Sequence, residues 1–211
     1  VSKVTGKQYF SYRRSGSKTP ISRPANLDLF CGDAQHVGNT WEEWQQGGLQ
    51  GQAPLNMLYT VALAPCLAME LFDRQNKKGP ATYFECLIGH LFAKALGVNP
   101  HKRASLKVCG EKVALTMDFL FEKNAVVRVH LPVKMSTRER VVQAWSHQRI
   151  LDAAFGEGAY RGIMVLFSET KLDWRSHEVV EICVPSQWLV YQVHLSRIHR
   201  IYYFDTPARY E

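Results

Sequence analysis

Two residues near the middle of the chain have types and a spacing that suit chemistry. Asp118 and Lys134 lie sixteen positions apart in the stretch Lys112–Asp152, KVALTMDFLFEKNAVVRVHLPVKMSTRERVVQAWSHQRILD. An aspartate offers a carboxylate to a divalent cation, and a lysine offers an ammonium to a developing negative charge. Side chains alternate along a strand, so Ala114, Thr116, Asp118 and Leu120 share one face. The apolar Val113, Leu115, Met117, Phe119 and Phe121 turn to a core. Glu122-Lys123-Asn124 reads as a polar hairpin connection. On the return strand Val127, Val129, Leu131 and Val133 are apolar, while Arg128, His130, Pro132 and Lys134 point the other way. Pairing of these strands sets Asp118 and Lys134 at neighbouring strand ends, just ahead of a helix from Ser136 to Asp152.

That arrangement resembles the PD-(D/E)xK nuclease superfamily, and specifically the type II restriction endonucleases. In that family an Asp ends one strand and an acid-x-Lys motif follows on the next. The acids hold Mg²⁺, and the lysine positions or activates the attacking water. Asp118 matches the first acid and Lys134 the lysine. Leu131-Pro132-Val133-Lys134 departs from the pattern, because Pro132 stands where an acid is expected. The resemblance therefore asks for another carboxylate.

Two glutamates are candidates. Glu85 lies on a helix expected over Thr82–Leu96, with Phe84, Leu87, Ile88, Leu91, Ala95 and Leu96 as its apolar stripe. Gly97 and Pro100 close that helix. A glutamate near its start complements the helix N-terminus; in the restriction endonucleases a glutamate on this first core helix is aimed at the metal site. Glu139 follows Ser136 by three residues, the spacing of a capping box. The cap gives Glu139 a structural use and leaves it as the reserve carboxylate.

The core from Thr82 to Ser168 reads helix, strand (Ser105–Val108), strand, strand, helix, strand (Gly162–Ser168). This is the αβββαβ order of the restriction-endonuclease-like core, an α/β fold with a mixed central sheet flanked by helices. Beyond it a polar loop spans Lys171–His177, a strand Glu178–Val184, a helix Pro185–Ile198 and a strand Arg200–Phe204. Trp188, Tyr191, Leu195 and Ile198 share one face of that last helix. Leu55–Asp73 predicts one helix or two, broken or kinked near Pro65. Asn26–Pro54 reads as loops, whose Gln and Asn side chains suit adenine edges. The expected division is a basic arm with loops over residues 1–54 and an endonuclease-like catalytic part over 55–211, one domain in all.

With 211 residues, 46% of them hydrophobic, the chain can bury a real core. No run of about 18 apolar residues predicts a membrane span. The polar, basic start VSKVTGKQYFSYRRSGSK lacks an apolar signal region, and a cytoplasmic protein is expected. Cys31, Cys66, Cys86, Cys109 and Cys183 are scattered without a C-x-x-C pair, as reduced thiols are. The formal net charge of +7 favours a polyanionic partner. Val1–Pro24 interleaves basic residues, Arg13 and Arg14 among them, with Tyr9, Phe10 and Tyr12; this suits phosphates and bases, and a solvated arm explains it equally. On the helix after Lys134, Trp145 belongs to the core stripe. Arg138, Arg140, Gln143, His147 and Arg149 form a side that faces DNA or simply solvent. No phosphate-cradling glycine loop, H-E-x-x-H or G-x-S-x-G stretch is present.

The resemblance implies Mg²⁺-dependent hydrolysis of double-stranded DNA at a short specific sequence. Asp118 would hold the ion with Glu85 as helper, and Lys134 would orient the water. Palindromic sites imply, by analogy, a two-fold homodimer. Two other readings stand beside it: a repair or structure-specific nuclease of the same fold, and a silent nucleic-acid-binding module that lost its site at Pro132.

Overall fold

A six-stranded mixed sheet carries both Asp118 and Lys134. The computed structural model describes residues 6–18, 21–47, 52–73, 75–124, 126–136, 141–173, 175–181 and 185–206. Its elements in chain order are β1 (Tyr9–Phe10), β2 (Ala25–Asn26), α1 (Ala34–Gln45), α2 (Gln52–Phe72), α3 (Gly79–Leu96), β3 (His101–Val108), β4 (Glu111–Glu122), β5 (Arg128–His130), β6 (Val133–Ser136), α4 (Val142–Phe155), β7 (Arg161–Ser168), β8 (Thr170–Leu172), β9 (Val179–Glu181), α5 (Pro185–His194) and β10 (Ile198–Tyr203). They fall into two units. One comprises Val1–Phe84, Glu169–Glu181 and Phe204–Glu211; the other comprises Glu85–Ser168 and Ile182–Tyr203.

In the first unit, α1 forms where loops were expected. Asp33 caps it, its carboxylate accepting from the Gln35 and His36 amides at 3.0 and 3.1 Å. The polar, glycine-containing composition concealed a helix whose cap was in plain view. Of the one helix or two expected over Leu55–Asp73, the structure has one, α2, continuous through Pro65. Proline removes the N–H that would bond the Val61 carbonyl four residues back. The Tyr83 hydroxyl donates to that carbonyl at 2.9 Å and satisfies it. By length and composition Ala53–Phe72 passes as a membrane-crossing helix, with a mean hydropathy of 1.5. Here its apolar residues Met57, Tyr59, Ala62, Leu63, Cys66 and Leu67 are buried core. Asn26 ties the unit together, its amide nitrogens donating to Tyr59 Oη and to Asp205 Oδ1 at 2.9 and 2.8 Å.

In the second unit the strands run β10-β7-β5-β4-β3, with β6 also paired to β7. Three pairings with β7 are parallel, and those of β4 with β3 and β5 are antiparallel. Cys109 and Gly110, with φ of 51° and 88°, make the two-residue turn from β3 into β4. One sheet face packs on α4 and α5, where Val141, Ala144, Trp145, Met164, Leu166, Trp188 and Ile198 form a core. The opposite face meets α3. A Cβ at Gly89 would lie 2.5 Å from Phe119 Cζ, so α3 comes this close to the sheet only because residue 89 is glycine. A six-to-one bond from Val98 N–H to the Ala93 carbonyl ends α3 at Gly97, as expected.

Candidate active site

The break at Pro132 builds the site. The return strand was expected to run unbroken from Val127 to Lys134, paired with the Asp118 strand. Instead β5 pairs antiparallel with β4, Leu120 opposite His130, and the Leu131 amide still reaches the Phe119 carbonyl at 2.9 Å. Pro132 has no N–H to continue that ladder. Its carbonyl accepts from Val165 N–H at 3.0 Å, and from Val133 onward the chain pairs in parallel with β7. Asp118 fills the resulting fork. Its Oδ2 accepts from the Val133 amide at 2.9 Å and from Lys134 Nζ at 2.8 Å. Both side chains are partly buried, 23% and 22% exposed, so their hydrogen-bonded ion pair is shielded from full solvent screening.

Asp118 also sits in a bulge. Between the pairs His101–Leu120 and Arg103–Thr116, β3 advances two residues while β4 advances four. Strict alternation along β4 therefore fails. Met117 and Leu120 meet in one cluster with Ala104, Leu106 and Leu151, whereas Phe119 turns to α3. Val113, expected in the core, is 44% exposed. Bulges of this kind re-aim side chains beside functional sites.

The other expected site residues are placed differently. Glu85 Oε1 accepts from Lys102 Nζ at 2.6 Å, and that ammonium also lies 4.7 Å from the centre of the Phe119 ring. Glu139, Arg138 and Arg140 lie outside the described residues. The helix expected to open at Ser136 begins at Val142, with Val141 as a cap that makes no side-chain bond. Ser136 ends β6 instead. Gln143 is exposed and His147 is half-buried, and burial lowers the His147 pKa. Trp145 is core, as its place in the apolar stripe predicts. In the first unit, Arg13 and Arg14 line an open depression of about 420 Å³ with Ser15, Gly16, Ser17 and Lys18. The Arg14 guanidinium sits 5.5 Å from the centre of the Phe72 ring.

A polar group that strand alternation sets on the face of Lys134 lies beside the fork. His130 is fully buried, and its Nδ1 meets Gln148 Oε1 at 3.0 Å. Burial pushes its pKa down to about 4, against the opposing effect of the Gln148 bond. The available signal was Gln148 itself, the one amide in the otherwise apolar stripe of α4.

The donor set suits a cation held lightly. Both bonds to Asp118 fall on Oδ2, and among the described residues none is made to Oδ1. No group of three or more His, Cys, Asp or Glu side chains among the described residues could hold a metal ion. A single carboxylate, completed by water and substrate phosphate, is a usual way of holding Mg²⁺.

No family model matches the chain, and no curated protein matches it. Among solved structures, the crystal structure of the type IIP restriction endonuclease Kpn2I is similar. Its TM-score is 0.76 and its sequence identity 25%, over 99% of this chain and 78% of that one.

Proposed function

We propose that this chain, which has the restriction-endonuclease-like fold, is a metal-dependent endonuclease that cuts double-stranded DNA at a short specific sequence. The observation that carries the reading is the Asp118–Lys134 contact of 2.8 Å in the fork between β4 and β6. Hydrolysis of a phosphodiester forms one P–O bond from water, breaks one P–O ester bond and builds negative charge on phosphate oxygens. Asp118 would hold Mg²⁺, which when bound supplies Lewis acidity and lowers the pKa of a coordinated water. Lys134 donates toward the developing charge and orients the water. The Val133 amide fixes the Asp118 carboxylate, so its geometry does not depend on Lys134 alone.

Glu85 is the helper carboxylate in this reading, and Glu139 the reserve. Arg13, Arg14, Arg138, Arg140, Gln143 and His147 are the proposed DNA contacts, and a two-fold dimer would match a palindromic site. The net charge of +7 supports a polyanionic substrate.

Pro132 in place of an acid and the capture of Glu85 by Lys102 favour a second reading, a nucleic-acid-binding module without catalysis. Plasmid DNA incubated with the protein in Mg²⁺ or in EDTA separates these readings. Discrete fragments in Mg²⁺ alone are the expected result. Smearing points to a non-specific nuclease, and binding without cutting to the silent module.

A further inference from the structure

The hairpin of β3 and β4 carries a cationic face that the Asp118–Lys134 pair does not use. From Arg103 to Val108 the two strands keep an unbroken antiparallel register, with Arg103 opposite Thr116, Ser105 opposite Ala114 and Lys107 opposite Lys112. Residues opposite each other point to the same side of a ribbon, and alternate pairs share that side. The intervening pairs bring Ala104 and Leu106 to the other side, where they are buried with Met117 and Leu151. The six outward residues are all exposed. They make three rows: Arg103 with Thr116, then two small side chains, then two lysines. Among the described residues none of the three cations forms an ion pair. Glu111, the one acid between Arg103 and Thr116, pairs with Val108 on the opposite side. Lys107 and Lys112 stand directly across from each other, an arrangement in which like charges repel and cost stability. A face that keeps this repulsion in the open, with no acid to relieve it, is complementary to an anion. Four residues along a strand separate the outer rows by about 13 Å. The major groove of B-form DNA is about 12 Å wide and the minor groove about 6 Å.

We propose that this face is a phosphate clamp spanning the major groove of a duplex, with Arg103 reaching the backbone on one rim and Lys107 and Lys112 the backbone on the other. The inference rests on the reading of the protein as an enzyme of double-stranded DNA and adds a surface that holds the duplex. Ser105 and Ala114, in the row between, are short enough to let both rims close on the ribbon. Contacts to phosphate fix register and orientation without reading bases, so the clamp positions DNA and its grip weakens with salt. Asp118 follows Thr116 by two residues on the same strand, so the gripped duplex lies next to that carboxylate.

The test measures binding of the full chain to a short DNA duplex in EDTA, so that metal-dependent cutting is off, across a range of salt concentrations. Each phosphate contact contributes about 0.9 to the slope of log affinity against log salt. The expected loss of slope is about 0.9 for Arg103→Gln, about 1.8 for Lys107→Gln with Lys112→Gln, and about 2.7 for all three together. A control that removes equal charge at exposed positions, Lys77→Gln with Lys78→Gln and Lys123→Gln, is expected to keep the wild-type slope. An unchanged slope in the triple variant, or an equal loss in the control, overturns the proposal. So does an unchanged slope in Arg103→Gln alone, which would confine contact to the hairpin tip. Stability supplies the second readout. Lys112→Glu turns the repelling pair into an attracting one, and is expected to raise the thermal midpoint by about 2 °C while weakening DNA binding. A lower midpoint, or binding as tight as wild type, counts against the clamp. A wild-type chain that binds the duplex but does not cut it in Mg²⁺ would sink the hydrolytic reading and leave the clamp standing. One that binds no duplex would sink both.

Discussion

Two acid–lysine pairs lie in the same unit, and their difference is instructive. Asp118–Lys134 and Glu85–Lys102 have similar N···O distances, 2.8 and 2.6 Å. The first is built into the backbone: a strand fork supplies the Val133 amide as a second donor, and both side chains are partly buried. The second joins a helix to a strand through side chains alone, and its lysine is 52% exposed. Exposed pairs of that kind contribute little and exchange partners readily. A short contact therefore does not by itself mark a site. What sets the first pair apart is a carboxylate whose direction the main chain dictates.

Breaking the first pair gives the largest effect. Lys134→Ala is expected to lower the cleavage rate on the order of a hundredfold, the scale of losing one donor to transition-state charge, with DNA affinity nearly unchanged. Single-turnover cleavage and a binding titration check this, and a loss confined to affinity would count against it.

The buried base beside that pair makes stability depend on pH. The folded pKa of His130 is about 4, against an ordinary 6.5, so below pH 6.5 the unfolded chain takes up a proton that the folded chain refuses. This group's contribution to stability is full above pH 6.5, declines as pH falls, and levels off below about 4. Between pH 7 and pH 5 the decline attributable to His130 is about 2 kcal/mol. Urea unfolding of wild type and His130→Asn at both pH values measures it; parallel pH dependence in the two proteins would refute it.

The exposed pair responds more weakly. Glu85→Gln is expected to raise the Mg²⁺ concentration needed for half-maximal cutting about tenfold, as loss of a helper ligand does. An unchanged Mg²⁺ titration would remove Glu85 from the site. Lys102→Met frees Glu85, and the expected outcome is a lower Mg²⁺ requirement by roughly threefold, within what one exposed ion pair is worth.

Much of this arrangement was legible in the sequence because local rules and tertiary packing agreed there. The αβββαβ order followed from hydrophobic periodicity, and the end of α3 from Gly97. Asp118 and Lys134 emerged from strand alternation joined to a resemblance. The rest depended on partners distant in sequence. Nothing local in β4 announces the bulge, which arises from its register with β3. Pro132 hinted at a missing acid, but its structural effect, handing the chain from β4 to β7, needed Val165 as an acceptor's partner. The unbroken α2 required the Tyr83 hydroxyl to meet the carbonyl that Pro65 leaves open. Capture of Glu85 by Lys102 spans seventeen residues with no periodic signature.

The two pairs can be weighed directly by cutting the same plasmid in Mg²⁺ with Asp118→Ala and Glu85→Ala, at protein concentrations that saturate DNA. The account predicts a loss on the order of a thousandfold for Asp118→Ala and a far smaller one for Glu85→Ala. Wild-type cutting by Asp118→Ala, or the reverse ranking of the two variants, would contradict it.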